Sequence, residues 1–229
     1  MHVPKRESVA DRIAESLRAS ILRGRLQPGD ALPSERDLAE KYAANRSTVR
    51  EAVRQLEAWG LVSVRHGGAT RVREYLLSAG IDLVPHLFEA AGVVDREVLR
   101  DLHECRAMIL GWAAEQAALR ADPASVARLE SLVREMRVAS DKPSRLQELD
   151  YDFFQALVDI TGNRVLGLFA NVVRDVYLAG RERFLAMYAP GTFDLGHHER
   201  LVAAVRARDP AAASLAMRAH ALSAAGRIA

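Results

Sequence analysis

The sequence predicts a mainly α-helical protein of two domains, a small N-terminal domain over residues 1–75 and an all-α domain over residues 76–229. Two observations predict the first domain: three helix-start signals follow one another, and two short valine-containing runs flank a pair of glycines. One observation predicts the second domain. Beyond residue 76 the chain has further helix starts and apolar residues at helical spacing, but no second pair of strand-like runs.

Side chains that cap a helix N-terminus predict the first two helices. Ser8 with Asp11 three residues later forms a capping box, and Ser34 with Asp37 forms a second one that opens a short helix through residue 42. The segment LQPGD, residues 26–30, is typical of a turn. Apolar residues follow the first box at helical spacing: Ile13, Leu17 and Ile21.

The segment RSTVREAVRQLEAW, residues 46–59, predicts a third helix with one buried and one exposed side. Its inner stripe is apolar: Val49, Ala52, Val53 and Leu56. Arg46, Ser47 and Arg50 must therefore face outward. Gly60 predicts a left-handed stop, and LVSVR and TRVR then flank HGGA as the two strands of a hairpin. Three helices followed by a two-stranded ribbon are the order of elements in a winged helix-turn-helix.

Charge is distributed unevenly between the two domains. Residues 1–75 hold 14 basic and 10 acidic side chains, a net of +4, whereas the remainder holds 18 and 20, a net of −2. A basic domain joined to a nearly neutral one is typical of a protein that binds a polyanion such as DNA with the first domain and is regulated through the second. In a helix-turn-helix the third helix enters the major groove, so we expect its exposed arginines to contact double-stranded DNA.

The second domain contains an acid on an apolar helix face. Within LDYDFFQALVDITGN, residues 149–163, Asp150 lies on the same stripe as Phe153 and Leu157. A buried carboxylate is costly unless something pairs with it. His198 and His220 also share faces with apolar residues, so all three ionisable groups are expected to point inward. Further helix starts are expected at four places: Asp95, Asp122-Pro123, Ser144 and Asp209-Pro210.

The motif LPSERDLAEKYAANRSTVREAVRQLEAWGLVSVRHGG resembles the DNA-binding domain of the GntR superfamily of bacterial transcription regulators. The rest of the chain resembles the helical effector-binding domain of its FadR branch, the FCD domain. The resemblance implies a homodimer that binds a palindromic operator. It also implies these DNA contacts: Arg36, Asn45, Arg46, Ser47, Thr48, Arg50, His66 and Gly67.

The same resemblance raises the question of a metal. Many FCD domains hold a divalent ion with an aspartate, a histidine four residues later, and two more histidines, which here match Asp150, Phe154, His198 and His220. Phe154 cannot ligate a metal. We therefore expect no cofactor, and expect Asp150 to pair with one or both histidines. Zn²⁺ or Ni²⁺ held by Asp150, His198, His220 and water is the alternative.

The segments ELDYDFF and TGNRVLGL resemble the fatty-acid-responsive members of the FadR branch, which implies a long-chain acyl-CoA as effector and release of operator DNA as its consequence. A helix is expected over residues 165–188, whose apolar side chains would line the acyl chain while its arginines meet phosphates. The effector contacts expected are Arg106, Phe154, Phe169, Arg174, Tyr177, Arg183 and Phe184. The alternative is a metal-dependent regulator that senses a small organic or sugar acid.

Other functional classes have weaker support. The sequence has no Gly-rich phosphate loop, no GxSxG motif, and its one cysteine, Cys105, has no histidine partner at a recognisable spacing. The protein is therefore not expected to be an enzyme, with a metal-dependent hydrolase as the remote alternative. A single cysteine, no membrane span and no signal-peptide core predict a cytoplasmic location.

Overall fold

The structure, a computed structural model, describes residues 8–64, 68–90, 96–179 and 181–225. It divides into two compact units, Met1–Val94 and Asp95–Ala229. The division lies later in the chain than the boundary at residue 75 expected from the sequence. The physical reason is that residues after the hairpin pack on the first unit, where Leu83 belongs to the core and Leu87 lies against it.

The first unit has the expected order of three helices and a hairpin, followed by short helices. Its elements are α1 (Val9–Leu22), α2 (Glu35–Lys41), α3 (Arg46–Ala58), β1 (Val62–Ser63), β2 (Arg71–Val72), α4 (Tyr75–Ser78), a 3₁₀ turn (Ile81–Leu83) and α5 (Val84–Ala90). The two strands pair antiparallel, with Val62 opposite Val72. This architecture confirms the predicted winged helix-turn-helix, although the wing tip, residues 65–67, lies outside the described residues.

Local side-chain chemistry explains why these helices begin where they do. The Ser8 hydroxyl accepts from the Asp11 amide at 3.1 Å and the Asp11 carboxylate accepts from the Ser8 amide at 2.9 Å, so the capping box is complete. Ser34 caps α2 through the Asp37 amide at 3.2 Å. Helix α1 then buries the predicted apolar stripe of Ile13, Leu17 and Ile21, and α2 buries Leu38.

Gly60 joins the end of α3 to the hairpin and to the segment that follows it. Its φ of 73° is in the left-handed region that favours glycine. The Ser78 hydroxyl donates to the Gly60 carbonyl at 2.7 Å. A Cβ atom on residue 60 would lie 2.3 Å from the Ser78 carbonyl oxygen, so the backbone of α4 can approach this closely only because residue 60 has no side chain.

The second unit is all-α over its described residues. Its elements are α6 (Arg96–Arg120), α7 (Pro123–Val138), α8 (Pro143–Thr161), α9 (Arg164–Ala179), α10 (Arg181–Phe184), a 3₁₀ turn (Leu185–Tyr188), α11 (Gly196–Ala207) and α12 (Pro210–Ala225). Asp122 caps α7 as expected, with its Oδ1 2.7 Å from the Ser125 amide. Gly162 ends α8 at a φ of 62°.

Two expectations for this unit are wrong in detail. The helix expected to start at Ser144 begins one residue earlier, at Pro143, because the fixed φ of proline and its missing amide suit the first helical position. The helix expected over residues 165–188 ends earlier, because residues Leu185–Tyr188 form a 3₁₀ turn after α10; residue 180, between α9 and α10, lies outside the described residues. A tertiary contact lies just before the turn, where the buried Gln147 amide donates to the Arg181 carbonyl at 3.0 Å.

Helix α8 occupies the middle of the second unit and packs against α6, α7 and α9. Helices α6 and α12 run antiparallel: Arg208, which ends α11 just before α12, donates to the Leu119 carbonyl near the end of α6, while His220 near the end of α12 lies beside Arg106. The inner faces of α6, α8, α11 and α12 therefore meet inside the second unit. Among the described residues, no helix is both long and apolar enough to cross a membrane.

Candidate functional site

The outer face of α3 is the first candidate site. Val49, Ala52 and Leu56 are fully buried, so Arg46, Ser47 and the remaining outer residues stay exposed, as the sequence predicts. Thr48 is half-buried beside them. Arginine side chains at the N-terminal end of such a helix reach guanine edges in a major groove, where the guanidinium meets O6 and N7 together. The face therefore has the chemistry that base recognition needs.

Four of the expected DNA contacts also form hydrogen bonds within the protein. Asn45 caps α3, its Oδ1 accepting from the Thr48 amide at 2.8 Å and from the Ser47 and Thr48 hydroxyls at 2.6 and 2.8 Å. Arg50 donates through Nε to Glu35 on α2 at 2.8 Å. This ion pair is exposed and contributes little stability, and it fixes the direction of the Arg50 guanidinium.

Arg36, His66 and Gly67 complete the set of expected DNA contacts. The Arg36 side chain is 76% exposed and lies 3.7 Å from Asp37, so it is free to reach a phosphate. His66 and Gly67 lie outside the described residues. These assignments remain predictions.

The second candidate site is a buried polar cluster around Asp150, formed by side chains from five elements of the all-α unit. The carboxylate Oδ1 lies 2.8 Å from His198 Nε2 and 3.3 Å from His220 Nε2. Oδ2 accepts from the Tyr188 hydroxyl at 2.7 Å and from Arg106 Nη2 at 3.5 Å. The expected pairing of Asp150 with histidines is therefore observed, together with two further partners.

The hydrogen-bond donors around the cluster fix its protonation. Arg106 Nη2 lies 3.1 Å from His220 Nε2, and because arginine only donates, that nitrogen must accept and the imidazole is neutral. Burial lowers the pKa of His220 to about 4, more than Asp150 raises it, which agrees with the geometry. Burial also raises the pKa of Asp150, but contacts that include the hydrogen bond from His198 outweigh it and hold that pKa well below its usual range, so Asp150 is an ionised carboxylate.

Aromatic rings enclose the histidines. Phe153 meets the His198 ring edge-on at 4.8 Å between centroids, and Phe193 lies 5.2 Å from the same ring. His198 is fully buried, and its Nδ1 has no hydrogen-bond partner among the described residues. Because the walls are apolar, the charges in the cluster interact with one another more strongly than they would in water.

A small cavity opens beside the cluster. It has a volume of about 40 Å³, and its lining combines the charged side chains of Arg106 and Asp150 with Ile109, Tyr151, Phe154 and Val173. A space of this size holds only about one to three water molecules. The cavity is therefore amphipathic but closed to any large ligand as it stands.

The cluster supplies three donor atoms of the metal site that the family resemblance implies. One ligand atom from each of Asp150, His198 and His220 lies within 4.8 Å of the others. The arrangement nevertheless does not fit a metal. Arg106 already donates to the lone pair of His220 Nε2 that an ion would need. A metal on His198 Nε2 would also leave its Nδ1–H without the acceptor that ligating histidines nearly always have.

The expected effector residues do not all meet at this cavity. Arg106 and Phe154 line it, and Phe184 is buried elsewhere in the unit. Phe169 is 41% exposed and Arg174 is exposed on α9. The side chains of Tyr177 and Arg183 lie outside the described residues. Reasoning from sequence missed Tyr188, because a tyrosine in an irregular segment carries no signal that it will reach an acid 38 residues away.

The comparisons with known proteins agree with this division into two units. Residues 9–72 match the family described as bacterial regulatory proteins, gntR family, and residues 101–223 match the FCD domain. The HTH-type transcriptional regulator Mce2R of Mycobacterium tuberculosis is 38% identical over 172 residues, which cover 75% of this chain and 71% of that protein. Regulator Rv0494 of the same species is 33% identical over 222 residues, covering 95% and 88%.

More distant relatives include regulators of known metabolic role. The fatty acid metabolism regulator protein of Escherichia coli is 26% identical over 201 residues, covering 88% of this chain and 82% of that protein. A solved structure of Lar, which controls expression of the Listeria monocytogenes agr system, has a TM-score of 0.55 at 16% identity and covers 98% of both chains, which supports the fold alone.

The outward-facing arginines of α3, the hairpin and the all-α second unit thus coincide with the two matched regions, and the relatives are transcriptional regulators rather than enzymes. The chain belongs to the GntR family of bacterial DNA-binding transcription regulators and carries an FCD domain as its second unit.

Proposed function

We propose that this regulator binds a long-chain acyl-CoA in its all-α unit and that binding releases operator DNA. The observation that carries the proposal is Phe154. At the position where a metal-binding relative would place a ligand, this chain has a buried aromatic ring that lines a cavity with Ile109 and Val173. An apolar wall at this point suits an acyl chain better than a small polar acid.

The closed state of the cavity is part of the proposed mechanism. A volume of about 40 Å³ cannot hold a long acyl chain, so α9, which contributes Val173, must move for the chain to enter. A ligand shifts an equilibrium only by its differential affinity for two states. The opened arrangement would bind acyl-CoA and the closed one would not, which provides that difference.

The energy available from the chain is sufficient for such a switch. Each CH₂ group transferred from water to an apolar site contributes about 0.8 kcal/mol. The eight additional CH₂ groups of palmitoyl-CoA over octanoyl-CoA therefore supply up to roughly 6 kcal/mol, of the order needed to reverse a two-state population. Affinity should increase steeply with chain length.

We propose further that the regulator acts as a homodimer on a palindromic operator. The outer side of α6 exposes Met108, Trp112 and Leu119, and α12 beside it exposes Leu215 and Leu222. Exposed tryptophan and methionine at helical spacing are typical of the core of a protein interface. A two-fold dimer places two α3 helices on two half-sites of the operator.

Calorimetric titration of the full chain with acetyl-, octanoyl- and palmitoyl-CoA tests the proposal. We expect palmitoyl-CoA to bind at least about 100-fold more tightly than octanoyl-CoA, because buried CH₂ groups set the affinity. Phe154→Asp should abolish this dependence, whereas Val138→Asp, a matched change at an exposed position on α7, should leave it intact.

Two results of the titration contradict the proposal. Equal affinity for acetyl- and palmitoyl-CoA would show that the acyl chain is not recognised. Binding of a small hydroxy acid together with one equivalent of Zn²⁺, with no binding of any acyl-CoA, would replace the proposal by the metal-dependent organic-acid regulator.

A further inference from the structure

The buried cluster contains its own cation, the Arg106 guanidinium. The Arg106 side chain is 21% exposed, whereas the Asp150 side chain is 5% exposed. Among the described residues, Arg106 is the one permanently charged group in hydrogen-bonding contact with Asp150. Tyr188 and His198 donate further hydrogen bonds to the carboxylate.

Both oxygens of Asp150 already have their partners. Oδ1 faces His198 and His220, and Oδ2 faces Tyr188 and Arg106. His198 donates to Oδ1, and Tyr188 and Arg106 donate to Oδ2, whereas His220 Nε2 accepts from Arg106 and does not donate to the carboxylate. The cluster therefore leaves neither carboxylate oxygen without a hydrogen-bond donor.

The charges also balance without a metal. The carboxylate of Asp150 and the guanidinium of Arg106 sum to zero. A divalent ion added beside Arg106 would leave two uncompensated positive charges in an apolar enclosure, an arrangement that buried sites avoid. An ion would also compete with Arg106 for the lone pair of His220 Nε2, only 3.1 Å from the guanidinium.

We propose that Arg106 takes the place of the divalent cation in this regulator, so that its effector-binding unit is built and held together without metal. Phe154 removes the fourth ligand, and Arg106 neutralises Asp150 and occupies His220. Both residues are needed. Without Phe154 the fourth ligand could be present, and without Arg106 the charge of Asp150 and the lone pair of His220 Nε2 would be open to an ion. The inference concerns the apo cluster and does not depend on which effector the protein binds.

Metal binding by four forms of the full chain tests the inference. Each protein is dialysed against Zn²⁺ or Ni²⁺, and its metal content and affinity are measured by elemental analysis and calorimetry. Wild type should retain well below one equivalent. Phe154→His should stay weak because Arg106 remains, and Arg106→Met with Phe154→His should bind one equivalent at least 100-fold more tightly than Phe154→His alone.

Two controls separate the charge of Arg106 from other effects. Arg106→Lys with Phe154→His keeps a cation in the cluster and should bind metal more weakly than the methionine double variant. Arg100→Met with Phe154→His removes an exposed arginine of the same helix and should behave like Phe154→His. Circular dichroism reports whether each variant is folded.

A measurement on the wild-type protein keeps the test decisive if the double variant does not fold. In ¹⁵N-NMR spectra His220 should show the tautomer protonated at Nδ1, and neither His198 nor His220 should shift on addition of Zn²⁺. One bound equivalent of metal in wild type, a Zn²⁺-dependent shift of either ring, or equal affinity of Phe154→His and the folded double variant would each overturn the inference.

Discussion

Gly60→Ala is expected to destabilise the DNA-binding unit strongly. Gly60 lies between the end of α3 and the hairpin, and α4 passes directly over it. The substitution adds one methyl group to a backbone with a φ of 73°. Its Cβ would lie 2.3 Å from the Ser78 carbonyl oxygen and 2.9 Å from the Ala79 Cα. Both are backbone atoms, so no side-chain rotation can relieve the overlap.

The size of the effect follows from two contributions. The left-handed conformation costs a residue with a Cβ roughly 1–2 kcal/mol. Displacing α4 also breaks the hydrogen bond from the Ser78 hydroxyl to the Gly60 carbonyl, which contributes about 1 kcal/mol, and opens the packing around it. We expect the free energy of unfolding of this unit to fall by about 3 kcal/mol or more.

Gly24→Ala provides a matched control in the same unit. Gly24 has a similar φ of 68°, but a Cβ at this position would meet nothing within 4 Å. It should therefore cost only the conformational part, roughly 1–2 kcal/mol. Hydrogen exchange of the full chain, measured on peptides from α1 and α3, gives the opening free energy in both variants. Equal losses in the two variants would refute the close approach of α4 to Gly60.

Three further predictions concern the DNA-reading face, the pH dependence and the dimer. Arg46→Ala should weaken specific operator binding by roughly 1–3 kcal/mol and relax base preference in a gel-shift titration, and unchanged specificity would contradict a base contact. Burial, assisted by the charge of Arg106, lowers the pKa of His103 to about 4, so as pH falls below about 6.5 the unfolded state binds a proton that the folded state does not. The free energy of unfolding should thus decline from pH 6.5 towards 4. In urea melts, His103→Phe should reduce the slope of this free energy against pH by up to about 1.4 kcal/mol per pH unit. An unaltered slope would show that another group causes the decline. Trp112→Glu should raise the dimer dissociation constant at least about 30-fold in sedimentation experiments, and a similar effect of Val138→Glu would show that the change is not specific to the α6 face.

Elements whose ends depend on local chemistry could be predicted from the sequence. Ser8, Ser34 and Asp122 accept amide hydrogen bonds from residues three positions later, and Gly162 adopts the left-handed conformation that ends α8. The signal and its structural consequence lie within one helical turn. The alternation of buried and exposed residues on α3 is equally local.

Features that depend on distant contacts could not be predicted. The apolar period of residues 165–188 is continuous, and the change to a 3₁₀ turn over Leu185–Tyr188 accompanies a contact with α8, the hydrogen bond from Gln147 to the Arg181 carbonyl. The periodicity placed Asp150 and both histidines on inward faces, but not the four partners of the carboxylate. Tyr188 lies at the end of a 3₁₀ turn, so its hydrogen bond to Asp150 is visible only in the folded chain.

Operator affinity with and without a long-chain acyl-CoA tests the central claim most directly. An operator selected by the full-length protein from a random DNA library is labelled, and its dissociation constant is measured by fluorescence anisotropy at one fixed salt concentration. Saturating palmitoyl-CoA should raise that constant at least about 100-fold, while acetyl-CoA at the same concentration should change it little. An unchanged constant with palmitoyl-CoA, or equal release by both thioesters, would contradict the account.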